Sequence, residues 1–271
     1  MNNLWFFKLL FVAGVWLPMR VALKFAYDGR NYHGYARQPN LSTVEGDLIK
    51  VLIKYGIIED TVSSVFRSSS RTDKGVSAFG NVLAFNTDFA TSQILEELSL
   101  ELEKIIPFAL ALVDDDFNPR FASFRHYRYF LKSDDFDKKS LIKTLSLFTG
   151  EHDFSNFCRL ESYKAPVRNI ENIVVSDFDS SFVAVDFFAQ NFLWHQIRRI
   201  VSSVEKVSLG KIDNQDVVEA LCNPDKNVDF GLAKPDFLFL MDVVYDFDFK
   251  CDDLLFKRAK DLEEKIISSF V

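Results

Sequence analysis

A run of nine residues places one carboxylate between an arginine and a glycine. The run is Ser70-Arg71-Thr72-Asp73-Lys74-Gly75-Val76-Ser77-Ala78. Arg71 can hold its guanidinium against the carboxylate of Asp73 and keep it ionised, while Gly75 permits backbone conformations that other residues avoid. An ionised, oriented carboxylate can act as a nucleophile or as a general base, so Asp73 is the predicted catalytic residue. The competing interpretation is an Arg/Asp pair that only closes a turn.

The elements around this run have to position it. Residues 62–66 and 82–85 have the composition of β-strands, which leaves the polar run between them as a loop. Loops held by a rigid scaffold are where catalytic residues are commonly found. The sequence therefore predicts a catalytic loop that connects two strands.

The same order of elements occurs twice along the chain. The first half is predicted as strand 21–27, helix 43–55, strands 62–67 and 81–86, helix 92–106 and strand 108–113. The second half is predicted as strand 124–132, helix 138–148, strands 170–176 and 182–188, helix 193–208 and strand 238–246, followed by a last acidic helix over 252–269. Ser42 and Glu45 are predicted to form a capping box for the first helix.

This βαββαβ order predicts an α+β fold of two ferredoxin-like halves. Joined side by side, the halves would form a long antiparallel sheet backed by helices, with the active-site cleft between them. The predicted domains are an N-terminal α+β domain over 19–120 and a C-terminal α+β domain over 121–271, after an apolar extension over 1–18.

Composition limits the class of protein. The chain has 271 residues, 48% of them hydrophobic and 15% aromatic, which excludes a disordered protein. Its net charge of −7 argues at first sight against a nucleic-acid partner. Basic residues nevertheless gather near the motifs, and a local field can outweigh the net charge. They are Arg67, Arg71, Lys74, Arg120, Arg125, Arg128, Arg159, Lys164, Arg168, Arg198 and Arg199. The alternative is that these are ordinary solvated charges.

Cysteine and histidine give no sign of a metal site. Cys158, Cys222 and Cys251 are odd in number and lack C-x-x-C spacing, which favours reduced thiols and a cytoplasmic protein. The four histidines have no paired-ligand spacing. We expect neither a metal nor a disulfide.

The first residues are unusually apolar. The stretch 4–17 is interrupted by Lys8, is too short for a typical membrane span and has no evident signal-peptide cleavage site. We interpret it as an upstream extension or a misassigned start, with Met19 as the natural first residue. A weak membrane-surface anchor is the alternative, and membrane association is otherwise not expected.

Several further motifs occur in a fixed order along the chain. Upstream of the loop are Tyr27-Asp28-Gly29, Tyr32-His33-Gly34-Tyr35, Arg37-Gln38-Pro39 and Thr43-Val44-Glu45-Gly46. Downstream are Phe121, Tyr127-Arg128-Tyr129, Asp153-Phe154 with Phe157, Arg168-Asn169, Phe192-Leu193 and Ile197-Arg198. Together with the R-T-D-x-G-V pattern of the loop, this series resembles the TruA-type tRNA pseudouridine synthases over about residues 20 to 246. Tyr35 and Ala36 depart from the Trp and Gln that are usual in that family, and Phe237 stands where a Gly is common.

The resemblance implies a reaction and a set of site residues. It implies isomerisation of uridine to pseudouridine at positions 38 to 40 of the tRNA anticodon stem-loop, without a cofactor, by a homodimer. The catalytic residues by matching position are Asp73, Tyr127, which would pack on the target uracil, and Arg198, which would pair with the aspartate. The predicted substrate-binding residues are Arg37, Arg71, Lys74, Tyr127, Arg128, Phe154 and Arg168.

Other classes of function are compatible with parts of this pattern. A retaining glycosidase also uses an aspartate nucleophile, but it needs a second carboxylate as acid, and no motif presents one. A catalytically silent tRNA-binding protein of the same fold would keep the basic residues without needing Asp73. A membrane-attached protein would need the apolar first residues.

Overall fold

A computed structural model describes residues 11–12, 15–16, 18–132, 137–178 and 181–270 of the chain. Most of the apolar stretch 4–17 lies outside these residues, apart from a pair of two-residue antiparallel strands, β1 (Phe11–Val12) and β2 (Val15–Trp16). None of the helices in the described part has both the length and the apolar character needed to span a bilayer.

The first half of the chain folds as the predicted βαββαβ unit. Its elements are β3 (Met19–Tyr27), α1 (Val44–Lys54), β4 (Arg67–Ser68), β5 (Ser77–Thr87), α2 (Thr91–Glu101) and β6 (Ile105–Val113). In the sheet the strands follow the order β4-β5-β3-β6. The first strand of the unit, β3, is therefore central, as in a ferredoxin-like unit.

The second half repeats this arrangement with two additions. Its elements are β7 (Phe124–Lys132), α3 (Lys138–Ser146), β8 (Gly150–Asp153), β9 (Val167–Ile170), β10 (Asn172–Asp177), β11 (Phe182–Ala189), α4 (Gln196–Ser208), α5 (Asn214–Cys222) and β12 (Leu238–Val244). The strand order is β10-β11-β7-β12, with β8 and β9 paired separately as a hairpin. β13 (Lys250–Cys251) and α6 (Asp253–Ser268) follow.

The two halves share one sheet of nine strands. They join where β12 lies beside β5, with Phe239 opposite Ser77 and Leu240 opposite Ala78. This pairing is parallel, whereas the other strand pairs in the described sheet are antiparallel. The predicted α+β fold with two ferredoxin-like halves is confirmed, and the expectation of a wholly antiparallel sheet is wrong at the junction.

The sheet buries both of its faces. One face carries the larger core, where side chains of α1, α3 and α4 meet alternate residues of β3 and β7, including Tyr127 and Tyr129. The other face carries a smaller, Phe-rich core with Phe130 and Phe239, covered by α6. Because successive strand residues point to opposite faces, neighbours on β7 belong to different cores.

Two local predictions are wrong. Residues 62–66 form a turn in place of a strand, because the carboxylate of Asp60 accepts hydrogen bonds from the backbone N–H groups of Val62 and Ser63. The side chain that caps α1 is Thr43, which accepts from the N–H of Gly46, so the Ser42/Glu45 capping box does not form. The hairpin β8–β9 and helix α5 were not predicted.

Candidate active site

Asp73 lies on the loop between β4 and β5, at the junction of the halves. The loop turns at Gly75, whose φ of +88° is unfavourable for other residues, and the backbone N–H of Val76 donates to the carbonyl oxygen of Asp73 at 3.2 Å. A Cβ on Gly75 would lie 3.0 Å from Pro235 of the second half. The glycine therefore sets both the turn and the close packing across the junction.

Residues of the segment between β3 and α1, together with the end of β3, hydrogen-bond to the loop that carries Asp73. The N–H of Tyr35 donates to the carbonyl oxygen of Thr72 at 3.1 Å, and the hydroxyls of Tyr27 and Thr72 lie 2.8 Å apart. A Cβ on Gly29 would lie 2.0 Å from the carbonyl oxygen of Val76. Gly29 thus allows the backbone to approach the loop more closely than a side chain would permit.

The second half contributes the start of α4. Its buried stripe includes Ile197, Ile200 and Val204, which fixes the helix against the core. His195 precedes the helix in the left-handed conformation, with φ of +66°. This turn directs both Trp194 and Arg198, on either side of it, toward Asp73.

Both oxygens of the Asp73 carboxylate are held by this segment. Arg198 Nη1 donates to Oδ2 at 2.7 Å and Trp194 Nε1 donates to Oδ1 at 3.0 Å. His195 Nε2 lies 3.4 Å from Oδ2. Arg198 is itself fixed, because its Nε donates to the carbonyl oxygen of Ala233 at 2.8 Å. Charge-assisted bonds of this kind are short and strong, so they fix the orientation of the carboxylate.

The ion pair that we expected between Arg71 and Asp73 does not form. Within the described chain, the ion-pair partners of Asp73 are Arg198 and His195, and the Arg71 side chain is exposed instead. Because the loop turns Arg71 outward to solvent, the arginine that pairs with Asp73 is Arg198, which comes from the other half of the chain.

Burial lowers the pKa of His195 below its ordinary value. The neighbouring carboxylate of Asp73 opposes this shift, while the cations of Arg198, Arg199 and Arg159 add to it. The imidazole is therefore favoured in its neutral form, and Arg198 supplies the positive charge opposite Asp73.

Tyr127, on β7, lies within electrostatic reach of Asp73. Its ring is 8% exposed and contacts Phe192 edge to face, with 5.3 Å between ring centroids. Burial raises the pKa of its hydroxyl to about 12, against the opposing effect of Arg125, and the charge of Asp73 adds to the rise. The phenol is thus neutral and sits in the electric field of the carboxylate.

Arg125 is a buried cation that the sequence marked only as one of several basic residues near the motifs. Its Nε donates to Oγ of Ser70 at 2.9 Å, and Nη2 donates to the carbonyl oxygens of Ser69 and Arg120 at 3.3 and 3.1 Å. Nη1 donates to the carbonyl oxygen of Gln190. Burial lowers its pKa. Arg125 thus ties the start of the catalytic loop to the second half.

Trp194 was also missed as a site residue. Its indole is 40% exposed, and the guanidinium carbon of Arg159 lies 4.1 Å from the ring centroid. The only signal in the sequence was its place between the Phe192-Leu193 and Ile197-Arg198 motifs, which does not reveal a hydrogen bond to Asp73.

Two predicted substrate-binding residues lie away from the carboxylate. Arg128 points to the opposite face of the sheet from Tyr127 and forms two hydrogen bonds with Asp186, at 2.8 and 3.0 Å. Phe154 is completely buried, so it has no surface to offer a substrate in this conformation. These two residues have structural partners, and the structure does not bring them to the site.

The other predicted residues remain accessible. Arg71 and Lys74 are exposed on the catalytic loop itself. Arg37 is exposed and lies 4.0 Å from a carboxylate oxygen of Glu45. Arg168, on β9, is half-buried and donates to the carbonyl oxygens of Ala165 and Val167 at 2.8 and 2.6 Å. In the described residues there is no cluster of three or more potential metal ligands from His, Cys, Asp or Glu.

Known proteins share this sequence over nearly its whole length. The family model described as tRNA pseudouridine synthase matches residues 145–246. A tRNA pseudouridine synthase A of Thermococcus sibiricus is 41% identical, covering 89% of this chain and 91% of the relative. The protein of that name from Thermococcus onnurineus is 39% identical over 91% and 93% of the two chains. A solved Cbf5-Nop10-Gar1 complex matches with a TM-score of 0.35 and 13% identity over 69% of this chain and 44% of that one, too low a likeness to carry an argument. The extent of the sequence identity shows that this chain belongs to the tRNA pseudouridine synthase family, and so to the isomerases.

Proposed function

We propose that this protein isomerises uridine to pseudouridine at positions 38 to 40 of the tRNA anticodon stem-loop, with Asp73 as the catalytic carboxylate. The observation that carries the proposal is the pair of hydrogen bonds that the Asp73 carboxylate accepts at the junction of the halves. One oxygen accepts from Arg198 and the other accepts from Trp194. A carboxylate that is ionised, oriented and 22% exposed is suited to covalent or base catalysis.

The reaction rearranges bonds within one nucleotide. The N1–C1′ bond breaks, the base rotates, and a C5–C1′ bond forms, while the proton on C5 is lost and N1 gains one. Asp73 either attacks C1′ as a nucleophile or removes the proton from C2′ as a base. Because no atom or electron is gained overall, the chemistry itself requires no redox cofactor.

The neighbouring residues have distinct roles in this proposal. Arg198 keeps Asp73 ionised when the substrate excludes water, since an opposite charge favours the charged form. Tyr127 packs on the uracil once the nucleotide has left its stack, compensating part of the lost stacking. Its neutral hydroxyl avoids a second negative charge beside Asp73.

The partner in this proposal is tRNA. Arg71 and Lys74 flank Asp73 in the loop, and Arg37 is also exposed, so these cations can contact phosphates, although the protein as a whole is acidic. We further propose a cytoplasmic homodimer, as the family resemblance implies.

An unmodified tRNA transcript, incubated with wild type and with Asp73→Asn, tests the function and the residue together. Wild type should form pseudouridine in the anticodon arm, mapped by chemical labelling, while D73N should form none but bind tRNA as before. Asp229→Asn is the matched control, because it removes an exposed carboxylate that pairs with Arg199 and should leave activity within about twofold.

The alternatives give different results. Equal product from wild type and D73N would remove Asp73 from the mechanism. Binding by wild type without any pseudouridine would indicate the silent tRNA-binding protein. Deuterium at C2′ of the target then separates the two roles of Asp73, because only removal of that proton gives a primary isotope effect on the chemical step.

A further inference from the structure

The hairpin β8–β9 adds a loop that the βαββαβ plan does not contain. Between its strands, a short 3-10 helix over Ser155–Phe157 leads into the loop 158–166, which we call the hairpin loop. The base of the hairpin is anchored in the core by Phe157, which stacks on Phe230 with 5.2 Å between ring centroids. The loop is thus an exposed segment on a fixed base.

The hairpin loop lies directly beside the catalytic carboxylate. The N–H of Arg159 donates to the carbonyl oxygen of Trp194 at 2.8 Å, and its guanidinium packs on the same residue's ring. Trp194 in turn donates to Asp73. One residue therefore separates the loop from the site.

Two large aromatic side chains are exposed on the segments around the loop that carries Asp73. Tyr163, on the hairpin loop, is 75% exposed, and Phe121, at the start of the second half, is 80% exposed. Leu160 adds a further 55% exposed side chain on the loop. Exposed apolar groups that gather near a site commonly mark a binding surface.

Basic residues connect the two aromatic side chains. The hydrogen bond that the Tyr163 hydroxyl donates to Glu161 raises the pKa of Tyr163, and the charges of Arg71 and Arg120 oppose that rise, so both arginines lie within electrostatic reach. Arg120 directly precedes Phe121. Nη2 of Arg125 donates both to the carbonyl oxygen of Arg120 and to that of Ser69, at the start of the loop that carries Asp73. The aromatic pair thus flanks the loop that carries Asp73.

The carboxylate on the hairpin loop, Glu161, pairs with Lys164 and forms no salt bridge with the arginines of this surface. Arg71, Lys74, Arg120 and Arg159 are exposed, and none has a carboxylate within salt-bridge distance in the described part of the chain. Exposed aromatic rings interleaved with free cations are the features that proteins use to hold single-stranded nucleic acid.

We propose that Tyr163 and Phe121 form an aromatic rim that stacks on unpaired nucleotides of the anticodon loop near the target uridine, while the surrounding arginines hold their phosphates. This inference rests on the proposed function and names the residues that hold the RNA beside the site. A symmetric contact with a second copy through the rim would bring like charges together, since an isologous interface pairs each patch with itself. Charge complementarity therefore favours a polyanion.

Tyr163→Ala and Phe121→Ala test the rim with full-length tRNA transcripts. Each variant should raise KM and the Kd for tRNA on the order of tenfold, with kcat at saturation within about twofold, because a base–aromatic contact contributes to binding the strand. Tyr163→Phe should behave as wild type, because it keeps the ring and loses only the hydroxyl. Leu254→Ala, which truncates a 70% exposed apolar residue on α6, is the matched control and should change nothing.

Three results would overturn the rim. Unchanged tRNA binding by both alanine variants, while wild type binds and modifies tRNA, would refute the rim and leave the proposed function standing. A change of oligomeric state in the free variants by sedimentation, with tRNA affinity intact, would assign the surface to a second copy. A wild type that modifies no tRNA would refute the proposed function, and the rim with it.

Discussion

Two adjacent arginines on α4 have separate partners, and the contrast tests the site at the scale of single residues. Arg198 holds Asp73 and the carbonyl oxygen of Ala233, whereas Arg199 pairs with the exposed Asp229. Lysine cannot reproduce the two-sided contact of Arg198, because it has a single charged nitrogen. We expect Arg198→Lys to lower the single-turnover rate of pseudouridine formation at least tenfold. Arg199→Lys should keep this rate within about twofold of wild type. Equal losses in the two variants would contradict this assignment.

His195 gives the stability of the protein a pH dependence. Because its pKa is lowered on folding, the unfolded chain binds a proton more readily, and protonation favours unfolding. This contribution to stability is fully present above the unfolded pKa of about 6.5 and is lost as pH falls below that value. His195→Asn keeps a residue that tolerates the left-handed conformation and removes the titration.

Urea unfolding between pH 7.5 and pH 5.5 measures the effect of His195. Wild type should lose more unfolding free energy over this interval than H195N does, because only wild type carries the imidazole, while the charged groups that face it, Asp73, Arg198, Arg199 and Arg159, are present in both proteins. Identical pH profiles would show that His195 does not titrate differently in the folded state.

At the scale of elements, the loop that carries Asp73 depends on close contact with the short segment after β3. Gly29→Ala would place a methyl group 2.0 Å from the carbonyl oxygen of Val76, so the loop must move. We expect a loss of more than 3 kcal/mol in unfolding free energy together with a loss of activity. Gly56→Ala is the comparison, because a Cβ added there would have no atom within 4 Å. Only the positive φ of this position should lower the unfolding free energy, by about 1 kcal/mol. Denaturant unfolding should separate the two variants clearly.

Elements with a strong periodic pattern were predictable, and elements fixed by side-chain contacts were not. β7 was predicted at its exact bounds, and the buried stripe of α4 matches its periodic apolar residues. Residues 62–66 have strand-forming types, yet the Asp60 side chain bonds the local backbone and makes a turn. The hairpin β8–β9 is built from mixed polar residues, GEHD and VRNI, which carry no alternation.

At the scale of the whole molecule, an acidic protein should still bind tRNA in a salt-dependent way. In the proposed function, binding depends on the cations near Asp73 and not on the net charge of −7. Neutralising Arg71 or Arg120 to Gln should reduce the slope of log K against log salt by about 0.7 to 1 each. Lys260→Gln, on α6 and paired with Glu263, is the control and should leave the slope unchanged. Equal slopes in all variants would place the phosphate contacts elsewhere.

The sequence alone determined the order of elements and the loop that carries Asp73, because strand and helix periodicity, turn residues and short motifs are local properties of the chain. Local patterns could not determine what holds Asp73, since only the family resemblance pointed to Arg198 and nothing pointed to Trp194. Arg198 and Trp194 lie 125 and 121 residues away from it, and only the parallel pairing of β12 with β5 and the left-handed turn at His195 bring them together. Arg71, two residues from Asp73, was the nearer candidate in sequence and turns away. Contacts of this kind depend on the packing of the two halves, which no local pattern records.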